Sequence, residues 1–155
     1  MTTATANPIT LAAITADDYQ DWSVLYHGYA DFYQQPMNDT ILQQTWQFLN
    51  NKNLHGAIAR DTHRAIGIAH WEYILRPLLG MSLCYLHDLY ITDDKRCQGA
   101  GSQLLRYVGK QAQQNNCSQM RWLTKEDNHT ARSLYDKVAT ATTEWVVYQQ
   151  TIRHD

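Results

Sequence analysis

The segment Arg96-Cys97-Gln98-Gly99-Ala100-Gly101-Ser102 lies between an apolar run, Leu86 to Ile91, and a stretch of helical periodicity entered near Leu104. A strand, a polar turn, a glycine-containing loop with one arginine and then a helix together make an anion site. Gly99 and Gly101 allow close backbone approach, while the helix start offers unpaired N–H groups and a positive dipole end. Arg96 adds a fixed positive charge, and the guest implied is a diphosphate. Two common phosphate motifs are absent. Gly109-Lys110 is followed by Gln111, which breaks the P-loop pattern, and G-x-G-x-x-G fails at Leu104.

A second group follows about thirty residues on, in Trp122-Leu-Thr-Lys-Glu-Asp-Asn128-His-Thr-Ala131-Arg-Ser-Leu134-Tyr135-Asp-Lys-Val138. This reads as a strand end, a loop and a helix capped by Asn128. Ala131, Leu134, Tyr135 and Val138 fall at i, i+3, i+4 and i+7 and form one apolar stripe. Tyr135 then sits two turns into the helix, roughly 10 Å along the axis from Asn128. Its ordinary role would be packing; its chemical role would be that of a proton donor.

The pair Arg-x-x-Gly-x-Gly and Asn-x-x-Ala-x-x-Leu-Tyr, in this order, resembles the Gcn-related N-acetyltransferase superfamily. The finer match, Cys84-Tyr-Leu-His-Asp-Leu-Tyr-Ile91 with Trp122-x-Thr124 and Leu134-Tyr-Asp-Lys-Val-Ala139, is similar to the branch of Hpa-type histone and polyamine acetyltransferases, and more distantly to the spermidine/spermine acetyltransferases. The resemblance spans residues 8–153, read as one acetyl-CoA-binding domain behind a frayed segment 1–7. It implies a mixed α/β (α+β) fold: a twisted sheet of about six or seven strands, helices on both faces, and a splayed central parallel strand pair.

The resemblance also assigns roles. Acetyl-CoA would be held by the backbone of Cys97, Gln98, Gly99, Ala100, Gly101 and Ser102, with Arg96 in support and Asn128 and Ala131 opposite. Leu89, Tyr90 and Ile91 would pair with its pantetheine arm, and a backbone N–H near Leu89 or Tyr90 would meet the oxyanion. Tyr135 would protonate the departing sulfur, since a phenol of pKa about 10 stays protonated at neutral pH and can donate to a thiolate of about 8.5. His87 and Asp88 are candidates for the base that takes the amine's proton. His87 occupies the place of a glutamate in the polyamine enzymes and titrates near neutrality. Strand alternation sends the two to opposite faces unless a bulge resets the phase. Tyr33, Glu72 and Asp88 are the candidate substrate contacts. Glu126 and Asp127 lie near the same cleft, which ranks polyamines or diamines first as acceptors, then a protein lysine, then an aminoglycoside.

Two departures stand out from the superfamily pattern. Cys97-Gln98 replace a basic residue and glycine after the loop arginine, leaving one charge fewer for the diphosphate. Val138-Ala-Thr-Ala-Thr replaces the usual Gly-Phe, a variation shared by the Hpa-like branch. Two rival readings remain: a non-catalytic CoA-binding module, and a nucleotide-binding regulator.

The elements that must position these groups can be read in outline. Ile9 to Ile14 is a strand, and Thr15 to Asp18 starts a helix carrying Trp22, Leu25, Tyr26, Tyr29, Phe32 and Tyr33. The end of that stripe, Tyr29 to Gln35, is expected to wall the substrate cleft. Pro36 ends the helix, Asn38 or Asp39 caps the next, and Ile41, Leu42, Thr45, Trp46 and Leu49 form its face. Leu54 to Arg60 and Ala65 to Ile74 make a hairpin, and Ser82 to Ile91 is the strand before the loop. Leu104, Leu105, Val108 and Ala112 give the helix after the loop its core face. Met120 to Thr124 and Trp145 to Ile152 are the remaining strands, the last a possible homodimer edge.

The chain has 155 residues, 13 Lys plus Arg against 15 Asp plus Glu, and a net charge of −2. One domain is expected, and a basic field able to hold nucleic acid is excluded. Cys84, Cys97 and Cys117 include no C-x-x-C pair, which disfavours zinc and disulfide frameworks and points to a reducing cytoplasm. No run approaches the eighteen apolar residues of a membrane span, so no membrane association is expected, and no metal is called for.

Overall fold

The computed structural model describes residues 8–154; the segment 1–7 expected to fray lies outside the described residues. Five strands form one sheet in the order β1-β2-β3-β4-β5: β1 Thr10–Ala13, β2 His55–Arg60, β3 Ala65–Arg76, β4 Met81–Ile91 and β5 Cys117–Trp122. The first three pairings are antiparallel, and β4 runs parallel to β5. That parallel step requires a crossover, supplied by α3 (Ala100–Gln114).

Helices cover both faces. α1 (Tyr19–Phe32) and α2 (Asp39–Asn50) bury Trp22, Leu25, Leu42 and Leu49 against Ile58 and Ile68. α3 packs Leu104, Leu105, Val108 and Ala112 on the opposite face against Trp71, Cys84 and Leu86. Each fully buried leucine or valine there stabilises the fold by about 1.5–3 kcal/mol, enough to hold the strand end preceding the loop in register with the helix following it. α4 (His129–Val138) adds Leu134 and Tyr135 to the same cluster.

The local signals explain the helix ends. The backbone N–H and hydroxyl of Thr15 both donate to the Asp18 carboxylate, fixing the turn that leads into α1. Of the two candidate caps for α2 it is Asn38 whose side chain accepts from the Ile41 N–H, at 2.9 Å.

One expectation is corrected. Among the described residues the sheet has five strands rather than six or seven, because Trp145 to Ile152 forms none. Past α4 the chain runs without regular structure, and Trp145, Val146, Val147, Tyr148 and Ile152 are exposed. The alternating apolar residues give this segment strand propensity, but a strand forms only against a partner edge.

The splayed parallel pair is present. Pairing of β4 with β5 ends at Leu86 opposite Trp122, whereas β4 continues to Ile91. Leu89, Tyr90 and Ile91 thus have β3 on one side only, leaving backbone groups on the other side for a ligand.

Candidate active site

The gap opened by this splay is a cleft of about 420 Å³, walled on one side by the end of β4 and on the other by α4. Leu89, Tyr90, Ile91, Arg96, Cys97, Gly99, Gly101, Ser102, Asn128, Ala131 and Tyr135 line it. Two of the expected residues do not. Ala100 is buried in the core, and Gln98 turns back to donate to the Asp94 carbonyl. Phe32, from the aromatic stripe of α1, joins the lining, as do Lys95 and Lys137, which were not singled out in the sequence.

The loop geometry follows from residue type. Gly99 caps α3 at φ 90°, a backbone state that side chains disfavour, with open space where a Cβ would be. Gly101 is needed for a different reason: a Cβ there would stand 3.1 Å from Leu134 Cδ2, so its absence lets α4 close against α3. Arg96 is held in place by several contacts. Its Nε donates to the Ile91 carbonyl at 3.1 Å, Nη2 pairs with Asp93, and the guanidinium lies 4.6 Å from the Phe32 ring centre. With Arg96, Lys95 and Lys137 on its wall and the start of α3 at its base, the cleft suits a polyphosphate carried on an extended chain.

Tyr135 sits against Trp122, ring centres 5.4 Å apart. Burial, with a smaller contribution from nearby Tyr33, pushes its pKa up to about 12. Asn128 caps α4 as anticipated, accepting from the Ala131 N–H.

A second pocket of about 620 Å³ adjoins the first, and Tyr33 lines both. Tyr26, Tyr29, Gln35, Met37 and Ile41 form one wall; Leu123, Thr124 and Lys125, just past β5, form the other. The end of the α1 aromatic stripe therefore does wall a cleft. Lys125 Nζ lies 5.5 Å from the Tyr33 ring centre, and Thr124 Oγ1 is shielded from solvent with no hydrogen-bond partner. Glu126 and Asp127 do not line the pocket.

Asp88 and His87 are separated by a β-bulge. His70 pairs with Asp88 and the next residue, Trp71, with Leu86, so His87 is the extra residue. The bulge reverses the alternation, placing Leu86 and Leu89 in the α3-side core while Asp88 turns toward α1. There the Asp88 carboxylate is 2.8 Å from His70 Nδ1, with Tyr29 near enough for its charge to act on the phenol. Burial and then the charge of Asp88 raise the pKa of Tyr29 well above its ordinary value, and push Tyr26 up to about 12. Both phenols are therefore neutral donors. His87 instead pairs with Glu72 at 2.8 Å, and neither residue lines either of these two pockets. Of the expected acceptor residues, Tyr33 lines both pockets, Asp88 lies behind Tyr29 without lining either, and His87 and Glu72 pair with each other away from both.

Residues 16–139 match the Acetyltransferase (GNAT) family model, and the chain belongs to that family. It is 32% identical over 146 residues to the D-amino-acid N-acetyltransferase HPA3 of Saccharomyces cerevisiae (strain ATCC 204508 / S288c), an alignment covering 92% of this chain and 90% of that protein. Among solved structures it superposes on a probable acetyltransferase with a TM-score of 0.85 at 19% identity, covering 94% of this chain and 99% of the other. It superposes on the aminoglycoside N-acetyltransferase AAC(6')-Iy in complex with CoA with a TM-score of 0.80 at 16% identity, covering 97% and 99%. The chain is an acetyl-CoA-dependent N-acetyltransferase, and no helix among the described residues is long and apolar enough to cross a membrane.

Proposed function

We propose that this enzyme acetylates the primary amine of a small molecule by direct attack on acetyl-CoA, with Asp88 meeting the amine and Tyr135 meeting the sulfur. The observation that carries this reading is the junction of two pockets at Tyr33. One is lined by cations and the α3 start, the other by tyrosines, and Asp88, which lines neither, adjoins Leu89 of the first along β4 and acts by its charge on Tyr29 of the second.

The acceptor enters with its nitrogen held by Asp88, and the neutral amine attacks the thioester carbonyl. A backbone N–H of Leu89 or Tyr90 receives the oxyanion as the N–C bond forms. Bond formation makes the nitrogen acidic, and Asp88 takes one of its protons. The C–S bond then breaks, with the Tyr135 hydroxyl donating a hydrogen bond to the departing sulfur. The proton taken by Asp88 passes through solvent to the thiolate, so the products are the N-acetyl amide and the CoA thiol, both side chains end as they began, and the proton lost by the original ammonium goes to solvent.

For the acceptor we favour a carboxylate-bearing amine such as an α-amino acid. Two features support this: the similarity to a D-amino-acid N-acetyltransferase, and Lys125 with Thr124 in the acceptor pocket, a cation and an unpartnered hydroxyl suited to a carboxylate. A polyamine or diamine is the second reading, supported by Asp88; the further carboxylates it would use, Glu72, Glu126 and Asp127, lie off the pocket wall. A panel of amino acids, diamines, lysine peptides and aminoglycosides, assayed by amine-dependent thiol release, tests this. Amino acids giving the highest kcat/KM supports the reading; highest turnover with diamines overturns the acceptor class, and no amine-dependent release overturns the enzyme mechanism.

We further propose a cytoplasmic homodimer. All three cysteines are free, consistent with a reducing compartment, and the outer edge of β5 together with the exposed Trp145–Ile152 segment would be covered by a second copy. Light scattering of the full chain, where a monomer mass would refute the dimer, tests the assembly.

A further inference from the structure

Trp22 and His70 are both fully buried, one on α1 and the other in the middle of β3. The Trp22 indole N–H donates to His70 Nε2 at 2.8 Å. An indole nitrogen can only donate, so Nε2 is the unprotonated nitrogen of the ring and Nδ1 carries the hydrogen. That hydrogen points along the 2.8 Å contact into the Asp88 carboxylate. The imidazole is further confined by Trp22 and by the edge-on ring of Tyr26, whose centres lie 6.1 and 5.2 Å away. A buried histidine fixed in one tautomer by an indole and aimed at a carboxylate 17% exposed does more than fill space. The β-bulge at His87 begins at this same His70–Asp88 pair, so the contact also holds the strand phase that turns Asp88 toward α1.

We propose that His70, locked by Trp22, is the positioning residue of the acceptor site: it holds the Asp88 carboxylate in the orientation that receives the amine. The inference rests on the reading of Asp88 as the group that meets the amine. His70 touches neither substrate and exchanges no proton; it donates one fixed hydrogen bond, leaving the remaining lone pairs of the carboxylate for the acceptor nitrogen. Losing this hydrogen bond to a charged group should lower productive amine binding by roughly ten- to a hundredfold.

Two substitutions separate positioning from packing. Asn places a donor near the Nδ1 position and drops the Trp22 acceptor; Gln places an acceptor near Nε2 and drops the donor to Asp88. The expected result is that His70→Gln lowers kcat/KM for the amine at least about tenfold, chiefly through KM, with the Kd of acetyl-CoA unchanged. His70→Asn should stay within about threefold of wild type. On an Asp88→Asn background, His70→Gln should cost less than about twofold, because the carboxylate it serves has gone.

Equal losses in His70→Gln and His70→Asn, or an undiminished loss on the Asp88→Asn background, would reduce His70 to a packing residue and overturn the proposal. If Asp88→Asn itself keeps wild-type kcat/KM for the amine, the reading of Asp88 fails instead, and the inference falls with it. Nitrogen-15 spectra of the histidine rings supply a measurement that needs no turnover. A ring carrying its hydrogen on Nδ1, and perturbed by Asp88→Asn, supports the assignment; a His70 ring protonated on Nε2 contradicts it.

Discussion

Replacing Tyr135 by Phe removes one oxygen and little else. The ring packs on Trp122 and on the α3-side core, and its pKa is already set by burial, so the variant should fold and bind acetyl-CoA as wild type does. Its magnitude follows from the chemistry at sulfur. With the phenol at about 12 and a thiol at about 8.5, complete transfer to a free thiolate runs uphill by roughly 3.5 units, or about 5 kcal/mol. The hydroxyl therefore contributes mainly as a donor to charge developing on sulfur, which is worth about 1.5–3 kcal/mol. Tyr135→Phe should accordingly lower kcat by about 10- to 150-fold with KM for acetyl-CoA unchanged. The pH dependence has a definite sign. A raised pKa keeps the donor protonated below about 12, so the ratio of wild-type to variant rates should stay flat from neutral pH to about 10. Thiol release measured with a chromogenic reagent at saturating amine gives both quantities. Equal rates, or rates that converge by about pH 9, would refute the assignment of this phenol.

Other substitutions test the remaining parts. Gly101→Val would press a side chain against Leu134 and wedge α4 from α3, and overpacking of this kind costs about 1–3 kcal/mol; calorimetry should show acetyl-CoA affinity falling at least about tenfold. Arg96→Met keeps contact with Phe32 but removes the charge, so Kd for CoA should rise by about threefold to tenfold, and the difference should shrink at high salt. Lys125→Met should raise KM for an amino-acid acceptor by about tenfold while leaving a simple monoamine nearly unaffected; equal effects on both would remove Lys125 from carboxylate recognition.

The donor cleft could be read from the sequence because its determinants are local. A glycine turn at Gly99, a cap at Asn128 and the stripe through Ala131, Leu134 and Tyr135 each depend on a few consecutive residues, and the structure contains all three, although Val138, the last residue expected in that stripe, is exposed. The acceptor side depends on register, which a single strand does not encode. His87 and Asp88 were equivalent candidates by alternation, and the choice between them rests on a bulge set by pairing with β3. His70 gave no signal at all: it is one histidine in an apolar strand, and only the antiparallel pairing brings it to Asp88, eighteen residues on. Lys125 sits beside Glu126 and Asp127, and composition alone pointed to the acids, whereas the turn after β5 brings the lysine to the pocket. The segment Trp145 to Ile152 fails as a strand for the complementary reason, since propensity without a paired edge does not make regular structure.

The most direct test of the account is a calorimetric titration of acetyl-CoA into the purified full chain at low salt. One site per chain, saturating below about millimolar ligand and weakened by Gly101→Val, is the predicted result. No association up to millimolar concentration would contradict the claim that the splayed strand end and the α3 start grip the acyl donor.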